Sequence, residues 1–165
     1  MSGIKNTCGR HVLFFLSAYI YLGPLTCLDM GVIGLPEPKR HLALAFRYLE
    51  EGKTLIEKDP VQASEKLYKA TEEAVKALAI GLDLEQVRIA AKEGTWWTRL
   101  HNRAAEAAAE KLGTEEFDLW WKAAYYLHVE GFHKAKLDSE AVKEKIPDIE
   151  RMVSETRKVI YGNND

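Results

Sequence analysis

The chain has 165 residues, with 23 Lys+Arg against 25 Asp+Glu and a formal net charge of -2. That length fits one domain able to bury a real core, and the charge balance excludes a surface dominated by phosphate contacts, which needs excess base. A composition of 47% hydrophobic and 29% charged residues excludes a disordered chain.

The first 36 residues read as an apolar extension and linker, apart from a helical domain over residues 37–162. Lys5 and Arg10 precede an apolar run from Val12 to Leu22, which Gly23 and Pro24 end. Eleven apolar residues are too few for a membrane span, which needs about 20. Three readings stay open: a segment packed on the body, a leader ahead of a natural start at Met30, or an export or anchoring signal through residues 12–35. Cys8 and Cys27 both fall in this stretch, and no Cys-x-x-Cys occurs. A structural zinc site and a disulfide framework for the body are therefore not expected, and the body reads as cytoplasmic.

From Glu37 the apolar period becomes 3.6. Leu42, Leu44, Ala45, Tyr48, Leu49, Leu55 and Ile56 form the stripe of a first helix that carries Gly52 and stops near Lys58. Asp59 and Pro60 open a second, with Gln62 placed for a capping box and Gly81 suited to a left-handed stop. Asp83 is the expected opener of a short helix that Gly94 ends. Thr95 is the expected cap of the next, from Trp96 to Leu112 with Gly113 after it. Thr114 and the acids after it start another, carrying Phe117, Trp120, Trp121, Ala124, Tyr125, Leu127 and Val129, with Gly131 near its end. Asp138 or Ser139 caps a last stretch in which Pro147 is a kink or a new first turn. No strand is evident. The fold class is all-α, an up-and-down bundle of four or five long helices.

Chemistry concentrates in residues 124–133, AYYLHVEGFH. On a regular helix, residues five apart point about 140° from each other. His128 and His133 therefore cannot share a metal unless Gly131 loosens the turn, and no metal or cofactor is expected. Glu130 is the expected orienting carboxylate. Of the pairs Trp96-Trp97 and Trp120-Trp121, one ring each should enter the core and the other cover an edge. Arg99, His101 and Arg103 form a small basic cluster beside Trp97. Arg99 and Arg103 share a helix face and, with Trp97, Lys92 and Lys122, are candidates to meet a nucleotide or RNA; a solvated face is the plainer reading. Lys66, Lys69, Glu72, Glu73 and Lys76 read as ordinary exposed ion pairs.

Three segments in order carry a family resemblance: residues 59–79 (DPVQASEKLYKATEEAVKALA), 94–98 (GTWWT) and 127–133 (LHVEGFH). Over residues 42–160 the chain resembles the archaeal PaREP repeat-family proteins, whose members look like relatives of the HEPN helical bundles. The resemblance implies a HEPN-like four- to five-helix bundle, a homodimer, and for some members a nucleotidyltransferase-type protein partner. It also implies, for others, metal-independent ribonuclease activity built on an arginine and a later histidine with four to six residues between them. His133 matches that histidine, and His128 stands where the arginine would be. Arginine is always charged and grips phosphate with a rigid fork; histidine does neither. Two functions follow as expectations: a dimeric module that binds a nucleotide or a partner protein near His128 and His133, or a ribonuclease using His133 with His128.

Overall fold

The computed structural model describes residues 37–162, so the apolar run and both cysteines lie outside the described residues. The described residues form α1 (Glu37–Leu55), α2 (Pro60–Gly81), α3 (Glu85–Glu93), α4 (Thr98–Leu112) and α5 (Glu116–Tyr126). A π-helical segment (Leu127–His133), α6 (Ser139–Lys143) and α7 (Ile146–Tyr161) complete the order. Five long rods, with α5 and the π-helical segment counted as one, make an all-helical bundle. Among the described residues there is no strand, and no helix is long and apolar enough to cross a membrane.

The second rod lies at the centre because its sequence lets it. Ala63, Ala70, Ala74, Ala77 and Ala79 are fully buried on α2, so neighbouring helices approach closely around Leu67, Val75 and Leu78. Every other described helix touches it. Asp59 caps it by accepting the Gln62 amide at 3.0 Å, and Pro60 occupies the first turn, where a missing N–H costs nothing. Gly52 on α1 marks a close approach of the first two rods. A Cβ there would lie 2.9 Å from Leu67 Cγ and 3.2 Å from the Leu67 amide nitrogen. The helix-weakening glycine is thus a packing requirement.

Several expected boundaries move. Gly81 is the last helical residue and does not take the left-handed conformation; Asp83 does, with φ 50°, and Leu84 occupies the cap of α3. The Asp83 carboxylate grips Arg88 through both oxygens at 3.0 Å. Thr95 is not a cap either. The residue before α4 is Trp97 in an extended conformation, so Trp96 lies ahead of the helix. Gly94 and Gly113 do end their helices left-handed, at φ 71° and 70°. Asp138 caps α6 through the Ala141 amide at 2.9 Å, and Pro147 sits in the first turn of a new helix.

Candidate functional site: a histidine pair on a π-helical turn

The helix that begins at Glu116 stays α-helical as far as Tyr126. It then widens to a π-helix over the seven residues Leu127–His133. A π turn closes one residue later than an α turn, so residue i+5 comes over residue i. The 140° separation expected of His128 and His133 assumed an unbroken α-helix, and here it does not apply. The rings meet edge to face at 4.4 Å between centroids, with Nε2 to Nε2 at 3.0 Å.

Gly131 and Ser64 explain why the widened turn can sit here. Gly131 is buried against α2, and a Cβ on it would overlap Ser64 Oγ and come within 2.6 Å of Ser64 Cβ. Ser64 is itself buried and turns its hydroxyl back to the Pro60 carbonyl at 2.8 Å. Small residues on both helices let the π segment press against the central rod. The segment ends under strain: Ala135 holds φ 49°, a conformation that suits glycine.

His128 is held from three sides. Its Nδ1 meets Glu65 Oε2 of α2 at 2.8 Å, and its ring stacks on Tyr68 at 4.1 Å and 23°. Phe132 stacks on it at 5.9 Å and Tyr125 tilts against it at 6.4 Å. The Glu65 side chain is 15% exposed and that of His128 20%, while His133 faces solvent. The orienting carboxylate is therefore Glu65, not the expected Glu130, which reaches Lys134 instead at 2.5 Å. Lys69 approaches Glu65 at 3.4 Å. Burial raises both the Tyr68 phenol, whose hydroxyl donates to Glu72, and the Glu72 carboxyl, which Lys76 and Lys69 partly restrain. Tyr68 is buried and Glu72 half-buried, so these are not the plain exposed pairs expected of α2. Glu73 differs again. Burial pushes its carboxyl up, but His41 at 2.6 Å and Lys76 at 2.7 Å bring it below its ordinary value.

The second candidate cluster divides. His101 is 1% exposed, sandwiched by Trp121 at 5.5 Å and Trp96 at 5.3 Å. Neither of its ring nitrogens has a partner in good hydrogen-bond geometry. Burial holds its pKa down to about 4, helped by Lys76; the Trp97 carbonyl and Glu73 only partly oppose this. It is a neutral core ring and no part of a basic patch. Trp97 is 56% exposed and Arg103 faces solvent. Arg99 is drawn to Glu93 at 2.6 Å and Lys122 to Asp118 at 2.5 Å. Trp96 and Trp97 divide, but between the core edge and the surface rather than between the core and an edge. Trp120 and Trp121 do not, because both are buried. Trp121 donates its Nε1 to Asn102 at 2.6 Å. An open cleft of about 590 Å³ lies elsewhere, where α4 gives way to α5. Glu106, Glu110, Glu115 and Asp118 line it with Lys122, a surface that repels polyanions.

Glu65 and Tyr68 are the site residues the chain alone did not reveal. Both sit inside an amphipathic pattern that any buried helix would show. Among the described residues, no group of three or more His, Cys, Asp or Glu is arranged to hold a metal.

Fold and site together define an all-helical bundle protein with a carboxylate-backed histidine pair on a π turn. The model of the archaeal PaREP1/PaREP8 family matches residues 40–153, and the chain belongs to that family. It is similar to a Sulfolobus solfataricus protein solved by crystallography, at 35% identity and a TM-score of 0.65, covering 70% of this chain and 95% of that one. A related solution structure of an open-reading-frame product gives 34% identity and a TM-score of 0.62, covering 73% and 93%. None of the curated proteins compared with it matches.

Proposed function

We propose that this bundle cleaves RNA by acid–base chemistry, with His133 as the group that meets the substrate and His128 as the positioning residue behind it. The observation that supports the reading is the 3.0 Å contact between the two Nε2 atoms, backed by Glu65 on the other nitrogen of His128. With Nδ1–H of His128 donated to Glu65, its Nε2 offers a lone pair and accepts the Nε2–H of His133. His133 Nδ1 is then the nitrogen that takes a proton. When it does, the shared proton can pass to His128, whose imidazolium lies against the Glu65 carboxylate.

RNA cleavage by its own 2′-hydroxyl needs one proton removed there and one delivered to the leaving 5′-oxygen. The pair accepts the first at His133 and returns one to the second, and imidazole is the side chain suited to both near neutral pH. This chemistry needs no metal. Incubating the full chain with mixed RNA in the presence of a chelator tests it. Wild type should cleave, His133→Ala should cleave at least about 100-fold more slowly, and Glu65→Gln should fall between them. Equal cleavage by wild type and His133→Ala overturns the reading, as does no cleavage by wild type.

A second reading is a dimeric module that binds a nucleotide or a partner protein, a nucleotidyltransferase-type protein among them. The observation favouring it is charge. The lysines beside the pair, Lys69 and Lys134, are engaged by Glu65 and Glu130, and His128 stands where the HEPN ribonucleases that the chain resembles carry a phosphate-gripping arginine. Tyr125 and Tyr126, 40% and 44% exposed next to the pair, would then form the seam. Under this reading wild type leaves RNA intact and sediments as a dimer, and Tyr126→Asp makes it monomeric.

A further inference from the structure

We infer that His128 and His133 form a two-imidazole binding site for a divalent transition-metal ion of the Zn2+ class, in which the metal takes both Nε2 lone pairs and the proton between the rings moves to His133 Nδ1. The inference uses the same side chains as the proposed RNA chemistry but does not rest on that chemistry.

Three observations carry it. First, the two Nε2 atoms converge at 3.0 Å. Imidazole nitrogens about 2.0–2.1 Å from one cation and subtending about 95° at it are themselves about 3.0 Å apart, so the two nitrogens already stand at a chelating separation and the rings need to turn to aim both lone pairs at one cation. Opening to the tetrahedral angle needs only about 0.3 Å more. Second, His128 Nδ1 is bound by Glu65 at 2.8 Å, from an α2 side chain that is 15% exposed. A metal-bound imidazole characteristically gives its other N–H to a carboxylate, which fixes the ring and strengthens the donor nitrogen. Third, the site opens outward. His133 is exposed, so water can fill the remaining coordination positions, and no third protein ligand is required for a labile site. The π turn is what makes this chemistry available, because on an α-helix the same spacing would point the rings apart. Two neutral nitrogen donors favour cations that prefer imidazole, such as Zn2+, Cu2+ or Ni2+, over Mg2+ or Ca2+.

His41 is a built-in comparison. Its Nδ1 also meets a carboxylate, Glu73 at 2.6 Å, but among the described residues it is not paired with a second imidazole. Zn2+ alone, titrated into the full chain without RNA and followed through imidazole nitrogen signals by NMR, tests the inference. The expected result is that the Nε2 signals of His128 and His133 move together, at one Zn2+ concentration, ahead of His41. His133→Ala should weaken the response of His128 at least tenfold. Glu65→Gln should weaken that of both rings by 10- to 100-fold. Because the readout is specific to these rings, Zn2+ taken up elsewhere in the chain does not mimic it. Signals of His128 and His133 that stay still, that move at separate concentrations, or that respond equally in His133→Ala and wild type overturn the inference. His133 is exposed, so its alanine variant is expected to fold; far-UV circular dichroism checks this, and His133→Gln repeats the test if it does not. Ring signals that respond to Zn2+ in a protein that leaves RNA intact would separate the two proposals.

Discussion

His101 and His128 stand at two ends of one run of rings, in opposite surroundings. His101 stacks on Trp121 at 5.5 Å, Trp121 meets Tyr68 at 5.6 Å, and Tyr68 stacks on His128 at 4.1 Å. Both imidazoles are therefore packed against aromatic faces. What separates them is the nitrogens. His101 is sealed in with no carboxylate, so burial drives its proton off. His128 has Glu65 on one nitrogen and a second imidazole on the other. Aromatic packing alone makes a histidine a core residue; a polar partner on each nitrogen makes His128 the candidate for proton chemistry.

The largest effect comes from removing the ring that joins His101 to Tyr68. Trp121 is 2% exposed and bonded to Asn102. Trp121→Ala should cost about 3–5 kcal/mol, measured by chemical denaturation, because both stacks lose their wall and a large void is left. An effect under about 1 kcal/mol would show that the rings do not form one packed unit.

The next effect isolates His101 by pH. Its folded pKa of about 4 lies below the ordinary histidine value of about 6.5. The unfolded chain thus binds a proton at a pH where the folded chain does not. Stability from this source is intact above about pH 6.5 and is lost as pH falls toward about 4, by up to about 3 kcal/mol. His101→Phe keeps the packing and removes both orphaned nitrogens. Its stability at pH 7 should match or exceed that of wild type. At pH 4.5 it should exceed wild type by about 2 kcal/mol, as urea denaturation at the two pH values would record. Equal acid sensitivity in both proteins would mean that carboxylates such as Glu73, and not His101, carry the acid loss.

Much of this was legible in the chain, and the exceptions have physical causes. The 3.6 period, Asp59-Pro60, Gly94, Gly113 and Asp138 define rods and ends because those signals are local. Thr95 and Asp83 misled because cap preference is weak against packing. Trp96 leaves the helix to cover His101, and Asp83 turns to meet Arg88. The histidine window stood out by composition, but its geometry did not, because a π turn depends on how closely another helix approaches. Ser64 lies 67 positions before Gly131, and no periodicity links them. Glu65 was hidden for the same reason: a glutamate on a helix face looks solvated until a second helix brings an imidazole to it.

That dependence gives a third, smaller effect. Gly131→Ala places a Cβ on Ser64 and should cost about 1–3 kcal/mol by overpacking. It should also part the two imidazoles, read by NMR as loss of the nuclear Overhauser contacts between the His128 and His133 rings. Ser64→Gly in the same chain removes both atoms that the new methyl would strike. The double variant should recover more than half of the loss. If it does not, the π turn is held by the 127–133 segment itself rather than by the gap on α2.

The smallest effect concerns the surface that composition nominated and geometry did not. Arg99 pairs with Glu93 at 2.6 Å, with side chains 52% and 30% exposed, so solvent screens the attraction and both chains give up rotamer freedom to hold it. Arg99→Ala should change stability by about 0.2–1 kcal/mol and leave the His128 and His133 signals where they are. The same substitution also tests function. If Arg99, Arg103 and Trp97 contact RNA, Arg99→Ala weakens RNA binding uniformly across sequences and flattens its salt dependence by about one unit of slope. If Glu93 already satisfies Arg99, both measurements stay at wild-type values. The Arg99 face is then a solvated surface, and the histidine pair stays the candidate for chemistry.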